Sequence, residues 1–344
     1  MEKEKNTMAV KMLMFDYRET EKAFFEKNKF EDFDITFYEK PLNAQTLAKI
    51  PQEVRDSASV ISVFITSEVT EAVVHAFKNL RLISTRSTGF DHINTKACRN
   101  KNIAVINVES YGSTSVVQFT LGLIISLVRN IIPAYNYVKA PETSCQSFVG
   151  RDLSKLTLGV AGTGATGAAI SQIAKAIGMN VIAYDIKEKH ELAQVVKYVD
   201  FAALLKDSDI ITLHVPYTGN NKHMFSAKEF EAMKDTAYFI NTSRGELVNL
   251  KDLFAALESG CIKGAALDVL TCESFSFHCS EFSKGLPLRC TEEMSVLQDL
   301  LKLPNVIITP HIAYETQDSI DLILEKTIYG VCDYLKGESG FRVV

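Results

Sequence analysis

A glycine pattern between an apolar strand and a helix constrains this chain more than any other feature. The residues Gly162-Thr163-Gly164-Ala165-Thr166-Gly167 match GxGxxG. They follow a predicted strand over 157–161 directly and begin a predicted helix that runs to Ile177 with apolar residues at i, i+3, i+4 and i+7. In a βαβ unit such a turn brings backbone N–H groups at a helix N-terminus against a pyrophosphate. Gly162 is then expected to form the bend, Gly164 to admit the phosphates, and Gly167 to let the helix pack on the strand.

An acidic residue after the next strand points to the kind of nucleotide. Asp185 follows the predicted strand 180–184 and lies 18 residues after Gly167, about where an acid hydrogen-bonds an adenosine ribose. A carboxylate there repels a 2′-phosphate, so the sequence predicts NAD rather than NADP, although Lys187 and Lys189 close by leave NADP open. A tight glycine turn followed by a solvated Asp is the alternative. Strand, helix and acid together favour dinucleotide binding.

Short β-branched runs alternate with helical patterns along the chain, and this alternation predicts parallel sheets. A chain of 344 residues is long enough for about two domains. The predicted strands are 11–15, 34–38, 60–64, 82–85 and 104–108 in a first series, and 157–161, 180–184, 210–213, 237–241, 265–270 and 306–309 in a second. The expected fold class is therefore α/β with two doubly wound parallel sheets.

Several helix ends can be predicted from capping residues. Ser67 and Asn249 each stand where an N-cap belongs, ahead of a helical pattern. Gly260 is placed to end the helix that Asn249 begins. A final helix is predicted over 316–335.

Two segments differ from the regular alternation. A helix over 115–132 is apolar on every face, which predicts that it is buried, and Pro133 is expected to end it. The segment 274–303 interrupts the strand and helix pattern and is predicted to be a surface insertion.

Composition disfavours several classes of function. The formal net charge of −5 makes nucleic acid and anionic membranes unexpected partners, because such surfaces attract basic proteins. The longest apolar stretch, 121–128, is far shorter than the roughly 20 residues of a membrane span, and the charged start MEKEKNT lacks a signal-peptide layout. Seven cysteines without CxxC pairs or zinc spacing predict reduced thiols, a cytoplasmic location and no metal.

Three residues suited to acid–base chemistry each follow a strand of the second series. They are Arg244, Glu273 and His311, and ligands of open α/β sheets gather at the carboxyl ends of strands. A guanidinium can bind a carboxylate in two places. A histidine exchanges protons near neutral pH, and a neighbouring glutamate would favour its protonated form. Spacing alone leaves open that this histidine is structural, which is the commoner case.

Several motifs in the same order, almost from end to end, resemble those of the D-isomer-specific 2-hydroxyacid dehydrogenases. They are Thr85 to Ile93, Leu158 to Gly167, Leu213 to Pro216, Ile240 to Val248, Gly264 to Glu273 and Pro304 to His311. The resemblance implies that Arg244, Glu273 and His311 are the catalytic residues and that NAD is the cofactor.

The same resemblance implies the ligand contacts. The backbone N–H groups of Thr88 and Gly89 would hold the substrate carboxylate, and Tyr111 and Tyr314 would border the substrate. Asp268 would lie near the nicotinamide. The implied NAD-binding residues are Gly162, Gly164, Ala165, Thr166, Gly167, Asp185, Val215, Pro216, Thr242 and Asp268.

Within the family, the insertion before Pro304 makes the chain similar to the D-lactate dehydrogenases rather than to the phosphoglycerate dehydrogenases. The resemblance implies a Rossmann NAD-binding domain over 113–316, inserted in a flavodoxin-like substrate domain made of 1–112 and 317–344. It also makes the apolar helix after Ser115 part of a homodimer interface.

The implied reaction is the reduction of a small 2-oxo acid by NADH to the D-2-hydroxy acid, with pyruvate to D-lactate as the first candidate. His311 would be the proton donor, and Arg244 would hold the carboxylate and polarise the carbonyl. The alternative is an NAD(H)-sensing binding protein without enzymatic activity, similar to the transcriptional corepressors that resemble this family.

Three departures from the usual family residues bear on these expectations. Ala165-Thr166 stands where relatives carry Arg-Ile, which predicts weaker cofactor binding, and Gln118 stands where an acid is usual. Glu315 stands where D-lactate dehydrogenases tend to place an aromatic residue. Facing the pocket, Glu315 would disfavour a small apolar substrate; facing solvent, as most glutamates do, it would not.

Overall fold

Both sheets of the chain are parallel between all their described strands. The structure is a computed structural model, and it describes residues 9–109, 113–139, 147–271, 288–338 and 343. The chain divides into two compact units, one made of 1–111 with 315–344 and the other of 112–314. The predicted α/β fold class with two doubly wound parallel sheets is confirmed. The assignment of a substrate role and a nucleotide role to domains bounded at 112 and 317 stays a prediction.

The first unit has the strand order β2-β1-β3-β4-β5, which is the flavodoxin-like order. Its strands are β1 (Val10–Met14), β2 (Phe33–Phe37), β3 (Val60–Val63), β4 (Leu82–Thr85) and β5 (Ala104–Ile106). The central strands β3 and β4 are buried along their whole length, as expected for a parallel sheet covered on both faces.

Helices of the first unit cover both faces of this sheet, and some begin where the sequence predicts. They are α1 (Glu19–Lys27), α2 (Ala44–Leu47), α3 (Gln52–Ser57), α4 (Glu71–His75), α5 (Thr95–Asn100) and the last helix of the chain, α13 (Gln317–Leu335). The predicted final helix is confirmed, with Thr316 as its N-cap. The N-cap prediction for Ser67 is wrong: Thr70 caps α4. Ser67 instead donates to the buried Asp16 carboxylate at 2.6 Å.

The second unit has the strand order β12-β11-β10-β9-β6-β7-β8, a Rossmann order with one added strand. Its strands are β6 (Thr157–Ala161), β7 (Asn180–Tyr184), β8 (Lys197–Tyr198), β9 (Ile210–Leu213), β10 (Tyr238–Asn241), β11 (Gly264–Leu267) and β12 (Val306–Ile308). Strand β8 is absent from the predicted list because two residues are too few to show a period.

At two helices of the second unit the structure differs from the sequence prediction. The helices of this unit are α6 (Ser113–Val128), α7 (Ile131–Lys139), α8 (Ala165–Ala176), α9 (Phe201–Asp207), α10 (Ala227–Glu231), α11 (Leu250–Glu258) and α12 (Leu288–Leu300). The chain bends by 65° between α6 and α7, where Asn130 has a φ of 51°. Pro133 therefore does not end a helix but lies in the first turn of α7, where no backbone N–H is needed.

Among the described helices, no single one is long and apolar enough to cross a bilayer, and only Thr114–Val128 taken together with Ile131–Lys139 passes on length and composition.

The remaining helix predictions divide into confirmed and wrong. Asn249 caps α11 through its side chain, and Gly260 follows the helix with a φ of 73°. The prediction that 274–303 is a surface insertion is wrong for its second part, because α12 is a helix that buries Met294 and Leu297 in the core of the second unit. Residues 272–287 lie outside the described part of the chain.

An ionised carboxylate ties the amino ends of β6 and β9 together. Asp209, with a side chain 13% exposed, accepts a hydrogen bond from the Thr157 N–H at 2.9 Å. Lys234 and Arg151 approach the same carboxylate at 3.3 and 3.5 Å. Desolvation alone would raise the pKa of Asp209, but the Thr157 hydrogen bond and the two cations outweigh it and lower that pKa below its ordinary 3.8.

Replacing Asp209 with Asn is expected to lower the free energy of unfolding at pH 7 by about 1 to 2 kcal/mol. The depressed pKa means that the carboxylate stabilises the fold above pH 3.8, and that this contribution disappears as the pH falls through the lower folded-state pKa. Urea unfolding at pH 7 and at pH 3 measures the difference, with the exposed Asp235→Asn as control. A deficit of equal size at both pH values would contradict this assignment.

Candidate active site

The predicted cofactor residues, together with Arg244 and His311, lie on turns at one edge of the second sheet. The last residues of six strands are in register with their neighbours in the order Tyr184, Ala161, Leu213, Asn241, Leu267 and Ile308. The residues that come next therefore line the carboxyl edge, and they are Asp185, Gly162, His214, Thr242, Asp268 and Thr309. In open α/β sheets this edge is where ligands bind.

The glycine turn at this edge is shaped by close approaches of backbone. Gly162 has a φ of 93°, which only glycine adopts readily. A Cβ on Gly167 would lie 1.9 Å from the carbonyl oxygen of Gly162, so the first turn of α8 rests directly on the bend. Gly164 is the N-cap of α8 and provides no side-chain cap. A Cβ on Gly164 would meet nothing among the described residues within 4 Å, so the helix N-terminus faces open space that a pyrophosphate fits.

Asp185, at the end of β7, is oriented by three hydrogen bonds. Its Oδ2 accepts from the N–H and the hydroxyl of Thr163 at 2.6 and 2.9 Å, and its Oδ1 accepts from the Lys187 N–H at 2.9 Å. Desolvation would raise the pKa of Asp185, but these hydrogen bonds and the charge of Lys189 outweigh it and lower the pKa. The carboxylate is thus ionised at neutral pH. In this form it can accept a hydrogen bond from the ribose of NAD, and it repels the 2′-phosphate of NADP.

The other predicted cofactor residues frame the same edge. Ala165 is exposed and Thr166 is half-buried in the first turn of α8, so their backbone is accessible although neither side chain carries a charge. Val215 is half-buried and Pro216 is exposed just past β9. Thr242 shares a hydrogen bond of 3.0 Å with Thr120 of α6.

Arg244 lies on a tight turn after β10 that a buried asparagine holds. The side chain of Asn241 accepts from the Ser243 N–H at 2.9 Å and donates to the Arg244 carbonyl at 2.8 Å. One guanidinium nitrogen of Arg244, Nη1, donates to the Ser243 carbonyl at 2.8 Å. The side chain is half-buried. The sequence motif around Arg244 does not reveal that Asn241 sets its backbone.

The chain that leaves β11 passes directly over the residue after Arg244. A Cβ on Gly245 would lie 2.1 Å from the carbonyl carbon of Leu270 and 2.3 Å from the nitrogen of Thr271. The backbone two residues before Glu273 is therefore in contact with the Arg244 turn. Glu273 itself lies outside the described residues, and its role stays a prediction.

His311 stands on a turn that a buried carboxylate clamps. Asp268 is fully buried, and its Oδ1 accepts from the Thr309 hydroxyl at 2.5 Å and the Ile312 N–H at 3.0 Å. Its Oδ2 accepts from the Ala313 N–H at 2.8 Å. Desolvation raises the pKa of Asp268, while these hydrogen bonds and the nearby charge of His311 act in the opposite direction. The contact with nicotinamide predicted for Asp268 is untested; what its carboxylate contacts here is the His311 turn.

The clamp holds His311 in an unusual backbone conformation. Its φ is 55°, in the left-handed region that non-glycine residues seldom adopt, and its N–H donates to the Thr309 carbonyl at 3.0 Å. The imidazole is half-buried, and its ring stands edge-on to the ring of Tyr314 with 6.3 Å between centroids. Strain of this kind gathers at functional sites, where surrounding contacts impose it.

Two predicted substrate residues lie in the first unit, on the turn after β4. The carbonyl of Thr88 accepts from the Asn107 side chain at 2.8 Å, and the carbonyl of Gly89 accepts from the Ser87 hydroxyl at 2.6 Å. Within the described part of the chain, no group accepts a hydrogen bond from the N–H of Thr88 or Gly89. Their predicted contact with the substrate carboxylate stays a prediction. Tyr111 lies outside the described residues.

The Glu315 side chain is partly exposed, and a neighbouring cation compensates its charge. Its carboxylate accepts from the Arg18 guanidinium at 3.3 Å, with both side chains about a third exposed. The Arg18 guanidinium also lies over the Phe64 ring, 5.1 Å from its centroid. The charge of Glu315 is therefore balanced within the first unit. Gln118, the other uncommon residue, is exposed on α6.

A comparison with models of protein families identifies the family of this chain. The model of the D-isomer specific 2-hydroxyacid dehydrogenase NAD binding domain matches residues 121–313, more than half of the chain. The chain belongs to the D-isomer-specific 2-hydroxyacid dehydrogenases. It is thus an NAD-dependent oxidoreductase of a family that interconverts 2-oxo acids and D-2-hydroxy acids, and NAD is its cofactor.

Relatives of this dehydrogenase differ in the substrates that their names state. The chain is 39% identical to a D-specific alpha-keto acid dehydrogenase of Enterococcus faecium over 80% of this chain and 82% of that protein. It is 34% identical to an aromatic 2-oxoacid reductase of Clostridium sporogenes over 75% and 77%. A crystal structure of D-lactate dehydrogenase from Aquifex aeolicus, complexed with NAD and lactic acid, superposes with a TM-score of 0.87 at 34% identity, covering 97% of this chain and 99% of that one.

Proposed function

We propose that this dehydrogenase reduces a small 2-oxo acid with NADH to the D-2-hydroxy acid, with pyruvate to D-lactate as the first candidate. The observation that supports it best is the placement of Arg244 and His311. Strands β10 and β12 both pair with β11, and the turns that carry the two residues leave the same edge as the glycine turn. Arg244 can thus bind a carboxylate, and His311 can donate a proton, at the same sheet edge as the proposed NAD site.

Each residue has a role that follows from its chemistry. Arg244 carries a planar guanidinium with five N–H donors, a geometry suited to gripping a carboxylate in two places and polarising the adjacent carbonyl. NADH, when bound, supplies the hydride. His311 gives a proton to the carbonyl oxygen, and Asp268 positions it by fixing the turn. Glu273, by its predicted place beside His311, keeps the imidazole protonated.

The remaining proposed substrate contacts come from Thr88, Gly89, Tyr111 and Tyr314. The N–H groups of Thr88 and Gly89 donate hydrogen bonds to the substrate carboxylate, and Tyr111 and Tyr314 border the substrate side chain. The Arg18–Glu315 ion pair bears on the class of substrate, because it leaves no uncompensated negative charge beside Tyr314. A small apolar 2-oxo acid is therefore compatible with Glu315. The similarity to the D-lactate dehydrogenase of Aquifex aeolicus supports the same choice.

A homodimer and a cytoplasmic location belong to the same proposal. The helix α7 exposes Tyr135 at 57% and Val138 at 76%, which supports an interface between two copies next to α6. Desolvation raises the pKa of the buried Cys98 to about 11, which makes it an unreactive thiol.

Following NADH absorbance with a panel of 2-oxo acids tests the proposal. We expect rapid consumption with pyruvate or 2-oxobutyrate and slower consumption with phenylpyruvate, and a D-lactate-specific assay identifies the product. Because the chain has no Trp, NADH binding is followed by nicotinamide fluorescence. Tight NADH binding without consumption of any 2-oxo acid would overturn the proposal in favour of an NAD(H)-sensing binding protein.

Replacing Arg244 with Lys is expected to lower kcat/KM for pyruvate by about 10- to 100-fold, because an ammonium replaces a fork with a point charge. The loss should appear mainly in KM, since the carboxylate is held in the ground state as well. Steady-state kinetics measure it, with the exposed Arg81→Lys as control. An unchanged KM would remove Arg244 from substrate binding.

A further inference from the structure

A chain of hydrogen bonds joins the end of β8 to the predicted ribose-binding carboxylate. The Lys189 N–H donates to the Tyr198 hydroxyl at 3.0 Å, and that hydroxyl donates to the Thr163 hydroxyl at 3.1 Å. The Thr163 hydroxyl in turn donates to Asp185 Oδ2 at 2.9 Å. Because the chain ends on an acceptor that cannot donate, every donor in it points towards the carboxylate. Bonds aligned in this way strengthen one another.

Thr163 is the central member of this chain. It occupies the first variable position of the glycine pattern, yet its side chain is fully buried. Its N–H donates to the same Asp185 oxygen as its hydroxyl. Tyr198 reaches it because β8 lies beside β7, with Ala183 in register with Tyr198. The three strands β6, β7 and β8 thus act together on one carboxylate.

The hydrogen bonds leave Asp185 little freedom. A carboxylate offers about four acceptor positions, and three are used by the Thr163 N–H, the Thr163 hydroxyl and the Lys187 N–H. The remaining position is on Oδ1. A ribose hydroxyl must therefore approach from that side, and Asp185 cannot rotate away without losing its internal partners.

The loop that follows Asp185 is closed by the same chain. Tyr198 fixes the backbone of Lys189, and the Lys187 N–H fixes the start of the loop. The positive charge of Lys189 contributes to lowering the pKa of Asp185. Ile186, between Asp185 and Lys187, is 95% exposed. A 2′-phosphate would need Asp185 to withdraw and Lys189 to turn towards it, and both hydrogen bonds oppose that change.

We propose that Tyr198 is a positioning residue for cofactor selection, whose hydroxyl holds Thr163 and the 185–189 loop so that Asp185 accepts NAD and excludes NADP. The inference rests on the proposed contact between Asp185 and the ribose. Tyr198 lies on the two-residue strand β8 and belongs to none of the sequence motifs described above.

Fluorescence titration of NADH and NADPH against Tyr198→Phe tests it. Loss of the hydroxyl removes two hydrogen bonds, so we expect the Kd for NADH to rise about 3- to 10-fold, while the Kd for NADPH falls or stays the same. The control is Tyr238→Phe, the same change at the amino edge of the same sheet. A ratio of NADPH to NADH dissociation constants equal to that of the parent protein would overturn the inference.

Two substitutions at Thr163 provide an independent reading that does not depend on the folding of the Tyr198 variant. Thr163→Ser keeps the hydroxyl and should keep the selectivity, whereas Thr163→Val loses it and should match Tyr198→Phe. Thermal melting of both is compared, because a purely structural role would lower the melting temperature without changing the selectivity. Equal selectivity in Ser and Val variants would also overturn the inference.

Asp185→Asn separates this inference from the function on which it rests. If Asp185→Asn leaves the NADPH to NADH ratio unchanged, the ribose contact fails and the inference fails with it. If that ratio falls but Tyr198→Phe leaves it intact, only the inference fails. Adding Lys189→Ala to Tyr198→Phe should abolish any gain in NADPH affinity, because the Lys189 ammonium is the group expected to meet the 2′-phosphate. A gain that persists in the double variant would contradict this role of Lys189.

Discussion

Replacing His311 with Gln is expected to lower the turnover of 2-oxo acids by about 10² to 10⁴-fold while NADH binds as before. Glutamine keeps the size and polarity of the side chain but cannot give up a proton at neutral pH. The glycine turn and Asp185 follow strands β6 and β7, which are separated from β12, the strand before His311, by β9, β10 and β11. Steady-state kinetics at saturating NADH, together with nicotinamide fluorescence, separate the two quantities.

The backbone of His311 calls for a second variant. Its φ of 55° is tolerated better by His and Asn than by Gln, so a defect in Gln alone could arise from the turn. His311→Asn keeps the left-handed preference and should show the same loss. The exposed His75→Gln is the matched control. Turnover near that of the parent protein in both His311 variants would exclude the imidazole as the proton donor.

Replacing Gly167 with Ala is expected to weaken NADH binding and to destabilise the protein by about 1 to 3 kcal/mol. The added Cβ would lie 1.9 Å from the Gly162 carbonyl oxygen, and because both atoms belong to tightly held backbone, the turn itself must move. Fluorescence titration and urea unfolding measure the two effects.

Gly164→Ala is the matched comparison for this prediction. Its Cβ meets nothing among the described residues within 4 Å, so the fold should keep its stability. The same Cβ projects from the helix N-terminus where phosphates bind, so NADH affinity should still fall. A Gly167→Ala variant with unaltered melting and unaltered NADH binding would contradict the role given to the bend.

Sequence reasoning predicted the sheets well because their strands are buried runs between turn signals. The positions of β6, β7 and β9 follow from such runs, and the register of their ends follows from parallel pairing. It failed where the decisive contact is distant or the signal is short. Ser67 is a good N-cap by type, but the buried Asp16 takes its hydroxyl. The two-residue β8 has no period to detect.

The candidate site was predictable in its residues more than in its construction. The glycine pattern, Asp185 and Arg244 could be selected by spacing and strand ends. That Asp268 clamps the His311 turn could not, because the partners are more than 40 positions apart and a carboxylate after a strand suits a ligand equally well. Likewise Thr163 occupies a variable position of its motif, and only the structure brings Tyr198 to it.

The three hydrogen bonds from the His311 turn to Asp268 have a consequence for protein engineering. Because Asp268, which follows β11, fixes the turn that carries His311 after β12, the two strands must be exchanged together. A chimaera that exchanges 306–313 and loses the carboxylate at position 268 carries the right histidine on a turn that lacks these three hydrogen bonds. Grafts between members of this family should therefore take their crossover points before Gly264 and after Tyr314.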